Sequence, residues 1–208
     1  LSGGADKTVR LWTIANETSK PFAGPTGEVT SVALTADGTG VIASCADKTV
    51  HVWSLTDAVV QARLTHPAAV HSAAASTDGN RIATSSADGI VRLWDTTTGL
   101  ELELLNGHTG VVHEVALTAD GGTVLSGGAD KTARVWTGSA QSVVVAHEGV
   151  IHDLDVVNVA GKQNLLTAGE DQTAKLWDET GKPVRTFSGS TGALSRVTAT
   201  RDRTKIAA

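Results

Sequence analysis

Tryptophan occurs five times in this chain of 208 residues, at Trp12, Trp53, Trp94, Trp136 and Trp177, with intervals of 41, 41, 42 and 41. A period near 40 residues marks one supersecondary unit copied in series, a unit that cannot bury its apolar face alone. Six residues before each tryptophan stands an aspartate: Asp6, Asp47, Asp88, Asp130 and Asp171. The flanks are copied too. Leu1 to Thr13 reads LSGGADKTVRLWT, and Leu125 to Thr137 reads LSGGADKTARVWT, with two differences. A chain of this kind folds as an array of like units in contact with their neighbours.

Within a unit the local signals are those of strands. Val9 and Leu11 alternate with Thr8, Arg10 and Trp12, and Leu100 to Leu104 alternates leucine with glutamate. Thr77 to Gly79 and Ala119 to Gly121 read as turns. Strands of about five or six residues leave room for about four per unit. No long segment repeats apolar residues at helical spacing, and Val, Thr, Gly and Ile favour helix poorly. A small antiparallel sheet is marginal by itself. Sheets stacked radially bury both faces, so the expected fold is an all-β propeller. Its packing must come from small residues, since apolar types make up 40% of the chain and aromatic types only 3%.

These elements resemble the WD-repeat (WD40) β-propeller family over the whole length. Gly107-His108 is one literal Gly-His pair, and Trp94-Asp95 and Trp177-Asp178 are literal Trp-Asp pairs. The resemblance implies a structural hydrogen-bonded tetrad in each blade. Three sets fill all four places: His66, Thr84, Asp88 and Trp94; His108, Ser126, Asp130 and Trp136; His147, Thr167, Asp171 and Trp177. In each, the aspartate is expected to accept from the imidazole, the hydroxyl to bridge, and the indole N–H to donate. Two sets are partial. Ser2, Asp6 and Trp12 lack a histidine, and Asp47 and Trp53 stand with Pro25 and Ala43 where histidine and hydroxyl belong. A histidine, a hydroxyl and an aspartate also suggest a hydrolase triad. Copies at equivalent places of several repeats are a structural element instead, so no catalytic residue is assigned and the chain is read as non-enzymatic.

By register, repeats span approximately 1–23 (partial), 24–64, 65–106, 107–145, 146–188 and 189–208 (partial). Leu1 and Ala207 both align with Ile42. The expected architecture is four complete four-stranded blades and a fifth split between the termini, with later strands near residues 1–20 and its first strand near Leu194 to Thr200. The chain has no methionine, so residue 1 is not expected to be the native start. A fragment of a larger propeller is favoured over closure of five blades, and an unpaired edge is expected to promote self-association.

A net charge of −5 and a pI near 5.8 argue against general nucleic-acid binding, which needs a basic face. No apolar run is long enough for a membrane-spanning helix, so no membrane insertion is expected. The single cysteine, Cys45, excludes an intrachain disulfide and reads as a small buried thiol. Lys7, Lys48 and Lys131 recur within Asp-Lys-Thr and read as solvated turn residues.

In the family one rim of the channel commonly carries peptide-binding residues. The resemblance places Glu28, Thr30, His71, Val111, His113, Val150, His152, Glu170 and Ser195 on that rim here. Ala5, Ala46, Ala87 and Ala129 occupy further positions, so the rim is otherwise small and apolar. His71, His113 and His152 each follow a tetrad histidine by five residues and are expected to form an arc. A pH-sensitive or metal-binding patch competes with a copied structural residue, and no metal or cofactor is assigned. The expected function is a scaffold binding a protein or peptide partner. The rivals are an accessory propeller recruiting substrates for a catalytic domain elsewhere, and small-molecule or sugar binding at the channel mouth.

Overall fold

A computed structural model describes the chain apart from residues 36, 139, 146, 160–161, 179 and 201–204. The described residues form strands, turns and loops, with no helix. No helix among them is therefore long and apolar enough to cross a membrane. The first sheet has three strands, β1 (Ser2–Gly3), β2 (Val9–Thr13) and β3 (Thr18–Phe22). Four sheets of four strands follow. They are β4 (Val29–Leu34), β5 (Gly40–Cys45), β6 (Thr49–Ser54) and β7 (Val60–Thr65); β8 (Val70–Ala75), β9 (Arg81–Ser86), β10 (Val91–Asp95) and β11 (Glu101–Leu105); β12 (Val112–Leu117), β13 (Thr123–Gly128), β14 (Thr132–Thr137) and β15 (Ala140–Val145); and β16 (Ile151–Val159), β17 (Lys162–Gly169), β18 (Ala174–Trp177) and β19 (Pro183–Phe187). A two-stranded sheet ends the chain, β20 (Thr198–Ala199) with β21 (Ile206–Ala207). Strands pair antiparallel in sequence order, as blades of a propeller do.

Neighbouring blades share their cores. Ile42, Val50, Val52 and Leu64 of one blade pack on Val70, Ala73, Ile82 and Trp94 of the next. The approach is close enough to require small residues. A Cβ on Gly127 would lie 2.7 Å from Ile151 Cγ2 of the following blade. The turn after each repeated aspartate is left-handed, with φ of 63° at Lys7, 71° at Lys48, 79° at Gly89, 67° at Lys131 and 65° at Gln172. The three lysines are exposed there. Cys45 is fully buried, and burial, with the Asp47 charge, pushes its thiol up to about 12.

Strands occur at both ends of the chain where the split blade is expected, β1 to β3 near residues 1–20 and β20 within Leu194 to Thr200. The segment near Leu194 to Thr200 supplies β20, but its partner is β21, and the partner of β1 is β2. No strand pairing among the described residues joins the two terminal sheets. The register explains this, because β1 and β21 hold the same place in the repeat and β20 already has a neighbour. The alternation at Leu100 to Leu104 is also interrupted. Glu101 pairs with Trp94 and Glu103 with Leu93, leaving Leu102 as a bulge. This is an outer strand, and Leu100, Leu102 and Leu104 are 65%, 46% and 49% exposed.

Candidate functional site

The tetrads set the rigid frame of the site. Trp136 Nε1 donates to Ser126 Oγ at 2.9 Å, Ser126 Oγ lies 2.8 Å from His108 Nε2, and His108 Nδ1 lies 2.9 Å from Asp130. One tautomer satisfies every atom: the hydroxyl donates to Nε2, and Nδ1–H donates to the carboxylate. Trp177, Thr167, His147 and Asp171 repeat the relay at 2.9, 2.8 and 2.8 Å. Burial keeps both imidazoles below their ordinary pKa despite the adjacent carboxylates. Burial also works against the Asp130 charge, but hydrogen bonds from His108 and Thr132 outweigh it and lower its pKa.

The third full set, at His66, lacks one expected link. Trp94 donates to Thr84 at 2.9 Å, and Thr84 lies 2.8 Å from His66 Nε2. His66 Nδ1, however, is buried without a partner. Asp88 instead accepts from Arg92 Nη2 at 2.8 Å, Ser86 Oγ at 2.5 Å and Ile90 N at 3.0 Å. Local chemistry explains the change. Elsewhere the residue after the histidine donates its N–H to the aspartate, as Thr109 does at 3.2 Å and Glu148 at 3.1 Å. Pro67 has no N–H to give. Thr132 and Thr173 hydroxyls bind the other aspartates at 2.8 and 2.7 Å, where this blade has Ile90.

The partial sets find other partners. Asp47 accepts from Thr26 N at 2.7 Å and Thr49 Oγ1 at 2.5 Å, and Trp53 donates to the Ala23 carbonyl at 2.9 Å. His51 stacks on Trp53 with centroids 5.3 Å apart, and both its nitrogens are buried without partners. Trp12 donates to Ser2 Oγ at 2.8 Å and is 51% exposed, although the other four tryptophans are at most 6% exposed.

A repeated β-bulge builds the rim. Val29 pairs with Cys45 and Ser31 with Ser44, so Thr30 is the extra residue. The same shift makes His71, His113 and His152 extra residues in β8, β12 and β16. A bulge turns a side chain out of the ladder, and here it does so at four equivalent places. The rings of His71 and His113 lie 5.5 Å apart, and those of His113 and His152 lie 5.7 Å apart. Glu28, Thr30, Ser195 and the three histidines line one hollow of about 320 Å³. Val111 and Val150 stand two residues before His113 and His152 in the chain and are not among the hollow's lining residues. Val111 O accepts from Ala129 N at 2.8 Å, and Val150 O accepts from Glu170 N at 2.9 Å, which draws the turn before each aspartate to the rim. Glu170 Oε1 lies 3.5 Å from His152 Nε2. Burial lowers the pKa of His71, and burial with the flanking imidazoles lowers that of His113. No group of three or more His, Cys, Asp or Glu among the described residues is arranged to hold a metal ion.

Beneath the rim lies a layer that the sequence reading passed over. Ser31, Ser72, Glu114, Asp153 and Arg196 follow the rim positions and line a channel cavity of about 640 Å³. The readable signal was an acid directly after His113 and His152, where earlier repeats have serine.

The family model described as WD domain, G-beta repeat matches residues 16–54, 59–95, 99–137 and 138–178, together more than half of the chain. No curated protein matches the chain. Among solved structures it is similar to the crystal structure of the WD40 β-propeller domain of Doa1. The identity is 22% and the TM-score 0.84, with 97% of this chain and 68% of that chain covered. At that identity the likeness concerns the fold alone.

Proposed function

The chain belongs to the WD40 repeat family of β-propellers, whose members generally serve as interaction scaffolds, and on that premise we propose that it is a non-enzymatic scaffold holding a protein or peptide on the bulge-built rim. The observation that supports this reading most is convergence. Four bulges bring Thr30, His71, His113 and His152 to one hollow. The tetrads account for His66, His108 and His147, and the turns account for the repeated pairs Thr35–Asp37, Ser76–Asp78 and Thr118–Asp120, so the rim histidines are repeated polar residues that neither element uses.

Selection of a random-peptide phage library on the whole chain tests the assignment. Selected peptides are expected to lose about tenfold in affinity, roughly 1.4 kcal/mol, to the variant His113→Ala with Val111→Asp. They should keep full affinity for Leu100→Ser on the outer strand. Equal binding to all three proteins overturns the rim reading.

The same reading assigns self-association to the face that carries the half-exposed Trp12, since an exposed sheet face of this kind favours covering by like surface. Sedimentation at rising concentration is expected to show larger species. A monomer throughout the range contradicts it.

A further inference from the structure

The rim hollow opens into the channel, because Ser31, Glu114 and Arg196 line both. Glu114 lies one residue deeper than His113, and Asp153 one deeper than His152. The Glu114 carboxylate accepts a hydrogen bond from the Ser72 hydroxyl, and it takes part in none of the ion pairs found among the described residues. Burial, with the Asp153 charge added, pushes Glu114 up to about 7 despite Ser72 and Arg196. Asp153 is raised by burial too, although Val197 N donates to it at 2.6 Å. Arg196 is the one cation lining this wall, and none of the ion pairs found among the described residues joins it to Glu114 or Asp153.

We propose that this joined rim and channel take a lysine or arginine side chain of the partner, its cationic head against Glu114 and its stem laid over the contacting His71, His113 and His152 rings, and that acidification releases it. The proposal rests on the rim reading above. Charge gives the first reason. Glu28 beside β4, Glu114 on β12, Asp153 and Asp155 on β16 and Glu170 after β17 face the site, against the single guanidinium of Arg196 before β20. An anion would meet five carboxylates, whereas a cation supplies Glu114 with an ion-pair partner, and a charge-assisted bond to a partly buried carboxylate is among the stronger ones. The imidazoles give the second reason. Burial lowers the pKa of His71, and burial with the flanking imidazoles lowers that of His113, so these two uncharged rings offer apolar surface to a methylene stem.

The direction with pH follows from the same groups. As pH falls, Glu114 takes a proton near 7 and the negative charge is lost. At lower pH His71 and His113 become cationic as well and repel the guest. A carboxylate that must be ionised for binding costs up to about tenfold in affinity per pH unit below its pKa.

The random-peptide library selected on the whole chain at about pH 7.5 supplies the probe. Peptides that depend on the rim are expected to be enriched in lysine or arginine. Affinity should fall by about tenfold or more when that residue is replaced by the neutral isostere citrulline (for arginine) or acetyl-lysine, when Glu114→Gln is introduced, and when pH is lowered to about 5.5. The peptide substitutions decide the matter even if Glu114→Gln does not fold. Rim-dependent peptides that tolerate the neutral residue overturn this inference and leave the rim reading standing. If no selected peptide depends on the rim, both fall.

Discussion

Replacing Trp53 by alanine is expected to lower the stability of the chain by about 3–5 kcal/mol, whereas the same change at Trp12 should cost about 1 kcal/mol or less. The two residues hold the same place in the repeat, so the contrast isolates their surroundings. Trp53 is fully buried in a cluster with Val9, Phe22, Val29, Val41, Ala43 and Cys45. Its ring contacts Phe22 at a centroid distance of 5.6 Å and stacks on His51. Truncation leaves a cavity between two blades, strips the His51 ring of its stack and orphans the Ala23 carbonyl. Trp12 exposes 51% of its surface, and its one polar partner, Ser2, is itself exposed and can turn to water. Equilibrium urea unfolding of both variants checks the difference. Equal losses would mean that the Trp12 face is covered in solution, or that the Trp53 contacts contribute little.

That contrast also marks what could be read from residue order. The tryptophan period fixes the unit, and alternation with turn residues fixes strands, because both depend on local chemistry. The relays at His108 and His147 were legible for the same reason. Each blade carries all four side chains together with an N–H after the histidine and a threonine after the aspartate, so every donor meets an acceptor. The blade of His66 carries the four side chains but lacks those two supporting donors. Asp88 therefore turns to Arg92, a residue that four-place matching does not inspect. Trp53 illustrates a different limit. Its partner is a backbone carbonyl at Ala23, and loop conformation decides that, not residue type. At the rim, position in the repeat located His71, His113 and His152. It did not indicate that Glu114 and Asp153 share the channel below them, since a shared cavity depends on how blades meet. The bulge at Leu102 was hidden because leucine and glutamate alternate in sequence whether or not the ladder keeps step.

Stability is expected to fall by about 3 kcal/mol between pH 6.5 and 4 on account of His66 alone. Its ring is 7% exposed, Nδ1 has no partner, and burial, helped by the Arg92 charge, pushes its pKa down to about 4 against the pull of Asp88. The unfolded imidazole titrates near its ordinary value of about 6.5. Above that pH both states are neutral, and the stability contribution is fully present. Between the two values the unfolded chain binds a proton that the folded chain refuses, so unfolding gains about 1.4 kcal/mol per pH unit. Below about 4 the folded ring is protonated as well, and the loss from this group is complete. Burial also lowers the pKa of His51, His71, His108, His113 and His147, which adds loss of the same sign on acidification. The His66 share is separable. The variant His66→Gln keeps a carbonyl to accept from the Thr84 hydroxyl but cannot titrate. Urea unfolding free energies across this pH range should therefore decline less steeply in the variant, by about 3 kcal/mol over the whole interval. Parallel profiles for the two proteins would show that His66 Nδ1 finds a partner in solution, with Asp88 released from Arg92 to complete the relay that the other two blades possess.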